Sequence, residues 1–279
     1  MRKLLLALFL LAFATPAFAA EKESAFARVM RTGVLRCGYQ LYPPYMSKDL
    51  KTGAFGGVYA DIFEELAKQA GLKINWAEEE GSDTVFTGLA AGRYDAFCSP
   101  ITATPARARV GLFTTPLVYV PFYVYVRAND TRFDGKDGYA HLNAPGVSFA
   151  TKDGDLIEIL ARQYFPATKK ISSGGITDVS QMMLSVADGK ADAIVEEPVY
   201  AGVFLRNNPG KLKRADVPEP LQVFPATAAA AIGEHDMLAF LNTSLQSLAD
   251  EGFIKATLKK HIANSEDIFP ANKPYEMKK

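Results

Sequence analysis

Residues 85–98 read VFTGLAAGRYDAFC and join a short helix pattern to a short strand pattern. Apolar side chains recur at helical spacing from Val85 up to Gly92, a residue type that commonly ends a helix. The run from Tyr94 to Cys98 then has the length and composition of a buried strand. A helix that leads directly into such a strand is typical of an α/β fold, in which helices cover the faces of a parallel sheet.

The chain before this stretch shows the same alternation of strands and helices. Residues 34–39 and 72–76 have strand composition, and residues 58–70 place their apolar side chains on one helical face. A rigid loop, residues 42–45, contains two consecutive prolines. These elements predict a first α/β lobe.

The second half of the chain repeats the pattern of the first. Residues 188–193 (DGKADA) match residues 91–96 (AGRYDA) in having a helix stop, a basic residue and an Asp-Ala pair at the same spacing. Around residues 188–193 the sequence predicts strands at 146–150 and 191–195 and helices at 156–164 and 182–187. Two similar α/β lobes therefore follow one another along the chain.

Residues 117–126 form a long aromatic and β-branched run that predicts a strand passing between the two lobes. Pro121 has no N–H group, so we expect it to break the hydrogen-bond ladder near the middle of this strand. Apolar spacing in residues 238–253 predicts a helical tail that returns to the first lobe. The expected architecture is two Rossmann-like lobes joined by a two-strand hinge.

The beginning of the chain has the pattern of an export signal. Two basic residues precede an apolar run at 4–13, and Ala17-Phe18-Ala19 matches an A-x-A cleavage site. We therefore expect residues 1–19 to be a cleaved signal peptide and the protein to be periplasmic. Lobe 1 would then span residues 20–120, with residues 226–279 returning to it, and lobe 2 residues 121–225.

Composition limits the classes of function. Without Arg2 and Lys3, the 31 basic and 31 acidic residues become 29 and 31, a formal net charge of −2, which does not favour nucleic acid. The three histidines lie far apart in the sequence, so we expect no metal site and no cofactor. Cys37 and Cys98 are the only cysteines, and both a disulfide and two buried free thiols are compatible with the sequence.

A candidate anion-binding segment follows the strand of residues 94–98. Thr102 offers a hydroxyl and a backbone N–H, and Arg107 offers a planar two-pronged donor five residues later. This combination suits a small carboxylate, although an exposed arginine in a surface ion pair gives the same pattern.

Together, these motifs resemble in order and spacing the polar amino-acid-binding branch of bacterial periplasmic solute-binding proteins, over essentially the whole mature chain. The segments that carry the resemblance are residues 33–38, 42–45, 92–96, 102–107, 113–116, 189–193 and 250–252. The resemblance implies a type II periplasmic binding protein fold that traps a small polar solute by hinge closure. It also implies a monomer that delivers this solute to an ABC permease of the inner membrane.

The resemblance assigns roles to particular residues. Thr102 and Arg107 would bind the α-carboxylate of an amino acid, and the ring of Tyr42 would pack against the ligand. Ser99 and Pro100, just before this segment, would also line the site, although Pro100 cannot donate a backbone hydrogen bond. The α-ammonium would be held by Glu197, which is one methylene longer than the family's aspartate and follows Glu196.

Three further positions depart from the family pattern. Ser82 stands where a second stacking aromatic is usual. Asp153 and Gly154 stand in the turn that normally donates hydrogen bonds from the second lobe, and the charge of Asp153 would repel a ligand carboxylate unless Lys152 offsets it. The ligand could therefore be an amino acid or a related amine or carboxylate.

Three functions remain open at this point. The first is a non-enzymatic receptor for an amino-acid-like solute. The second is an exported enzyme on the same scaffold, similar to cyclohexadienyl dehydratases, with Glu197 or Glu196 as a desolvated general acid. The third is a ligand-binding sensory or accessory subunit.

Overall fold

The computed structural model describes residues 23–81, 83–135, 138–153, 155–173, 179–262 and 268–271. The helices are α1 (Ala25–Thr32), α2 (Val58–Gln69), α3 (Val85–Ala91), α4 (Leu156–Tyr164), α5 (Val179–Ala187), α6 (Pro198–Asn207), α7 (His235–Asp250) and α8 (Phe253–His261). The strands are β1 (Val34–Tyr39), β2 (Ser47–Lys48), β3 (Phe55–Gly56), β4 (Lys73–Glu79), β5 (Ala96–Thr102), β6 (Gly111–Phe113), β7 (Val118–Arg127), β8 (Ser148–Lys152), β9 (Lys169–Ser173), β10 (Ala193–Glu196), β11 (Leu212–Arg214), β12 (Gln222–Ala231) and β13 (Phe269–Pro270).

The main sheet has two halves. Its order is β4-β1-β5-β12-β7-β10-β8-β9, with β6 added to β12 and with β11 and β13 added to β7. In the first half β1 is parallel to both β4 and β5, and in the second half β8 is parallel to both β9 and β10. The predicted fold class, two α/β lobes joined by a two-strand hinge, is confirmed.

The hinge is the antiparallel pair of β7 and β12. Residues 118–122 of β7 pair with residues 222–226 of β12, and residues 123–126 of β7 pair instead with β10 of the second lobe. Pro121 lies opposite Val223 and does not end the strand, contrary to the expected break. The change of partner after Phe122 is what carries the chain from one lobe to the other.

The helical tail packs on the first lobe, where α7 and α8 contact α2. Leu241, Leu245 and Leu248 of α7 are buried in the core that this lobe shares with the hinge. In the part of the chain that the structure describes, no helix is long and apolar enough to cross a membrane.

The two similar segments, residues 91–96 and 188–193, form the same structure in both lobes. Gly92 and Gly189 adopt left-handed backbone conformations, with φ of 71° and 76°, which glycine allows without strain. Three residues later, Asp95 accepts a hydrogen bond from Arg36 N at 2.8 Å, and Asp192 accepts one from Ser148 N at 2.9 Å. Each aspartate thus binds the backbone of the neighbouring parallel strand, at the third residue of β1 and at the first residue of β8.

These side-chain bonds explain why β5 and β10 begin later than predicted. Asp95 lies directly before β5 and Asp192 directly before β10. The carboxylate of each accepts a hydrogen bond from a backbone N–H group of the adjacent parallel strand. Both aspartates also bind arginines: Arg28 and Arg36 pair with Asp95, and Arg127 and Arg132 pair with Asp192. Burial alone would raise the pKa of Asp192, but its hydrogen bonds from Arg132, Ser148 and Arg127 lower this pKa.

A disulfide crosslinks the first lobe. It joins Cys37 of β1 to Cys98 of β5, two neighbouring parallel strands, and the Cα atoms are 5.5 Å apart. Both cysteines are fully buried. The crosslink lies two residues before the end of β1 and four residues before the end of β5.

Candidate functional site

The candidate site lies where the carboxyl ends of the strands of one lobe approach those of the other. On the second lobe, β10 ends at Glu196, and Glu197 is the N-cap residue of α6. Both glutamates are only 1% exposed. Glutamates are rarely buried to this extent unless they are paired or serve a function.

Most acceptor positions of the two glutamates are satisfied within the second lobe. Glu197 accepts hydrogen bonds from Tyr200 N at 2.8 Å and Val199 N at 3.1 Å, and its own N–H donates to Glu196 Oε1 at 2.8 Å. Pro198 at the first helical position favours this strand-to-helix turn because its φ is preset. Both carboxylates are therefore held in place by the backbone.

Two tyrosines of the first lobe reach across to the glutamates. Tyr42 Oη donates to Glu196 Oε1 at 3.3 Å and to Glu197 Oε1 at 3.5 Å, and Tyr45 Oη donates to Glu197 Oε2 at 3.4 Å. These bonds are long and hence weak. They nevertheless place phenol hydroxyls of one lobe against carboxylates of the other.

Three tyrosine rings stack beside the carboxylates. The ring of Tyr42 lies between those of Tyr200 and Tyr45, with centroid distances of 5.0 and 5.8 Å and interplanar angles of 11° and 7°. Burial, and then the charges of Glu196 and Glu197, raise the pKa of Tyr42 well above its usual value. Tyr42 therefore remains a protonated donor at physiological pH.

Glu196 has an unsatisfied oxygen. No hydrogen-bond donor among the described residues reaches its Oε2 atom, which is buried. Burial, and then the neighbouring charge of Glu197, raise the pKa of Glu196 well above its usual range, and Asp155 adds to this effect. A positively charged group beside Glu196 would lower this pKa and favour the carboxylate.

The cation of the site is Arg107, at the start of a short 3₁₀ helix on the first lobe. Its Nη1 donates to the Thr102 carbonyl at 3.1 Å, and its backbone N–H donates to Thr104 Oγ1 at 3.3 Å. Burial lowers the pKa of Arg107, and the charge of Asp155 on the second lobe raises it. Arg107 and Asp155 thus influence one another across the two lobes.

The other predicted positions differ in their surroundings. Ser99 is fully buried, and its hydroxyl accepts from Gln40 N at 3.1 Å and donates to Gln40 O at 3.3 Å, which fixes the end of β1. Pro100 is half-buried within β5. Asp153 is exposed and accepts from Ser172 Oγ of β9.

Two predicted positions, Ser82 and Gly154, lie outside the described residues. The structure thus brings Tyr42, Arg107 and Glu197 into one region. Ser99 contributes to that region by holding the backbone just before Leu41 and Tyr42.

The ligand-binding residues predicted from the sequence did not include Asp155, Tyr45 or Tyr200, and Glu196 was considered only as a possible general acid. A signal for Asp155 was present: an aspartate directly before an apolar helix pattern is typical of an N-cap. Tyr200 follows Glu197 by three residues in the first turn of α6, but its stacking on Tyr42 depends on the contact between the lobes. That contact has no local sequence pattern.

A cavity of about 280 Å³ also lies between the lobes, next to Tyr200. Its lining residues are Pro43, Ser180, Tyr200, Val203, Phe204, Asn207 and Asn208. Pro43 belongs to the loop that carries Tyr42, whereas the other residues belong to α5, α6 and the residue after it. In the described part of the chain, no group of three or more His, Cys, Asp or Glu side chains could hold a metal ion.

The chain belongs to the bacterial extracellular solute-binding proteins, family 3, whose family model matches residues 35–264. This confirms the family expected from the motifs. The match includes both lobes and every described residue of the candidate site.

The names of individual relatives describe different roles. The chain is 27% identical over 246 residues to the virulence sensor protein BvgS of Bordetella bronchiseptica, covering 86% of this chain but only 18% of that protein. It is 25% identical over 264 residues to a probable amino-acid ABC transporter-binding protein of Haemophilus influenzae, covering 91% of this chain and 95% of the relative.

A solved structure has the same fold. It is that of the ancestral amino acid-binding protein AncCDT-1, described as a precursor of cyclohexadienyl dehydratase. It matches with a TM-score of 0.73 and 23% identity, covering 86% of this chain and all of the other. At that identity, the similarity supports the fold and not the ligand.

Proposed function

We propose that this chain is the periplasmic substrate-binding component of an ABC importer and that its lobes close on a small amino-acid-like solute. It acts without chemical turnover and delivers the solute to a permease of the inner membrane. Residues 1–19 act as the export signal.

The observation that carries this proposal is the buried pair Glu196–Glu197, which faces tyrosine hydroxyls from the other lobe. An ammonium group between the lobes replaces the weak tyrosine donors by stronger charge-assisted hydrogen bonds. Because both lobes contribute, a solute bound there stabilises the closed arrangement. Arg107 of the first lobe adds a positive charge that interacts with Asp155 of the second lobe.

The similarity to the amino-acid ABC transporter-binding protein of Haemophilus influenzae supports the import role, since the match covers nearly all of both chains. A second candidate function is a ligand-binding sensory subunit, and the similarity to the BvgS sensor favours it. The chain spans about a fifth of that sensor's length. Both functions use the same ligand-closed form.

The test is a thermal-shift screen of the protein after unfolding and refolding to remove carried ligand. The compounds are α-amino acids, the corresponding decarboxylated amines, polyamines, opines and small carboxylates. A compound at a hundred times its dissociation constant stabilises the folded state by about 2.7 kcal/mol, which gives a clear shift in Tm. Mass spectrometry of the recovered compound should find it unchanged, and a converted compound would support an enzyme instead.

The Glu197→Gln variant locates binding within the cleft. Glutamine still accepts hydrogen bonds from the first turn of α6 but has no charge, so we expect an amine to bind at least tenfold more weakly. Asp216→Asn, which removes an exposed carboxylate of the second lobe, is the matched control. An amine that stabilises Glu197→Gln as strongly as the unmodified protein would contradict the proposed site, and a screen without any shift would contradict the proposed function.

A further inference from the structure

We propose that Asp155 makes the cleft select amines or guanidinium compounds that lack a free carboxylate, such as diamines and decarboxylated amino acids. This inference rests on the proposed function, because it concerns the solute bound between the same lobes. It assigns to Asp155 the role of a specificity-determining residue.

The fold places Asp155 at the same edge of the sheet as the glutamate pair. Strands β8 and β10 are parallel neighbours, and Ala193 lies opposite Phe149. Their carboxyl ends therefore meet at one edge, where β8 leads into Asp155 and β10 leads into Glu197. Both residues are N-caps, of α4 and α6 respectively.

The backbone holds Asp155 in position. Its carboxylate accepts from Ile157 N at 3.1 Å, and its own N–H donates to the Lys152 carbonyl at 3.1 Å. A helix N-terminus would otherwise attract a ligand carboxylate through its free N–H groups and its dipole. Asp155 uses one of those N–H groups itself and places a negative charge at this helix end.

The charge of Asp155 also acts on Arg107, the positively charged side chain of the first lobe at this site. The charge of Asp155, on the second lobe, favours the charged form of Arg107, on the first lobe. A ligand carboxylate that approaches Arg107 therefore competes with a carboxylate that the protein already provides. The attraction of Arg107 for an anion is reduced accordingly.

The remaining groups of the site favour a cation. Glu196 and Glu197 are buried, and Glu196 Oε2 has no donor among the described residues. The hydroxyl groups of Tyr42 and Tyr45 stand beside them, and a hydroxyl oxygen can accept a hydrogen bond from an ammonium group. With three carboxyl groups and one guanidinium, the cleft is complementary to a positively charged solute without a carboxylate.

The experiment compares pairs of compounds that differ only in the carboxylate: agmatine with arginine, putrescine with ornithine, cadaverine with lysine and histamine with histidine. Isothermal titration calorimetry is performed on the refolded, ligand-free protein. In the pair that binds, we expect the decarboxylated compound to bind at least tenfold more tightly. If the amino acid of that pair binds as tightly or more tightly, this inference is wrong while the proposed function stands. If none of these compounds binds but the thermal-shift screen finds another amino acid, this inference is again wrong, and only a screen without any shift contradicts both.

The Asp155→Ser variant provides the second measurement. Serine also caps a helix but has no charge, so the affinity ratio within the binding pair should shift at least tenfold toward the amino acid. Asp216→Asn, which removes an exposed charge from the same lobe, should leave the ratio unchanged. A ratio that is the same in Asp155→Ser as in the unmodified protein, with the fold retained by circular dichroism, would overturn the assignment.

Discussion

Strands β5 and β10 occupy equivalent positions in the two lobes, begin alike and end differently. Each is preceded by an aspartate that binds two arginines and a backbone N–H group of the neighbouring strand. Counted from these aspartates, Ser99-Pro100 in the first lobe corresponds to Glu196-Glu197 in the second. The two strands therefore begin with the same structure, whereas the residues at their carboxyl ends differ between the lobes.

The difference between the two strand ends explains how the site is divided. The Ser99 hydroxyl forms its hydrogen bonds with the backbone of Gln40, so it stabilises the first lobe. Glu196 instead keeps one buried oxygen without a donor among the described residues, and it contacts the first lobe only through Tyr42. The first lobe provides Tyr42, Tyr45 and the cation Arg107, and the second provides the carboxylates and the ring of Tyr200.

The first prediction concerns the crosslink, which is present in one lobe only. The Cys37→Ala/Cys98→Ala double variant should lose about 4 kcal/mol of unfolding free energy, because the disulfide closes a loop with a sequence separation of 61 residues. Urea denaturation measures the loss. Denaturing the unmodified protein with a reductant present should reproduce it, and an unchanged midpoint in both experiments would show that the first lobe does not depend on its crosslink.

The second prediction compares the two aspartates. The Asp95 side chain is fully buried, whereas that of Asp192 is 17% exposed and its partner Arg132 is half exposed. Removing one partner of a buried ion pair costs about 3 kcal/mol or more. We expect that cost for Asp95→Asn and a smaller one, about 1–2 kcal/mol, for Asp192→Asn, because solvent screens the second cluster.

Urea denaturation of the two asparagine variants makes this comparison, with the m-value as a check that both unfold from a similar native state. A larger loss for Asp192→Asn than for Asp95→Asn would contradict the view that the first cluster is the more deeply buried anchor.

Much of the fold followed from local sequence patterns. The predicted bounds of β1 and α4 agree with the structure because each element has clear ends: Gly33 precedes β1, and Asp155 caps α4. The helix α1 had no comparable pattern and was not predicted. For β5 and β10, the apolar run indicated the strand, but the side-chain bonds of Asp95 and Asp192 move its start by two residues.

The sequence predicted less of the site than of the fold. The order of elements predicted which residues lie at strand ends, and it therefore brought Arg107 and Glu197 into consideration. The bond from Tyr42 to Glu196 joins residues 154 positions apart and forms only when the lobes meet. The same holds for the effect of Asp155 on Arg107. Asp153, and not Asp155, was selected from the sequence because it stands in the turn that donates hydrogen bonds in the family pattern.

The central claim is that the unsatisfied carboxyl group of the second lobe receives the cation of the solute. Burial and the charges of Glu197 and Asp155 raise the pKa of Glu196, although the Glu197 N–H and the Tyr42 hydroxyl act in the opposite direction. A bound ammonium lowers this pKa again, so binding releases a proton and the affinity rises with pH.

The most direct test is isothermal titration calorimetry at pH 7 in two buffers with different ionisation enthalpies, using the tightest-binding amine from the screen. The account predicts a net proton release on binding to the unmodified protein and none for Glu196→Gln. Binding without proton release, or an equal release from Glu196→Gln, would contradict it.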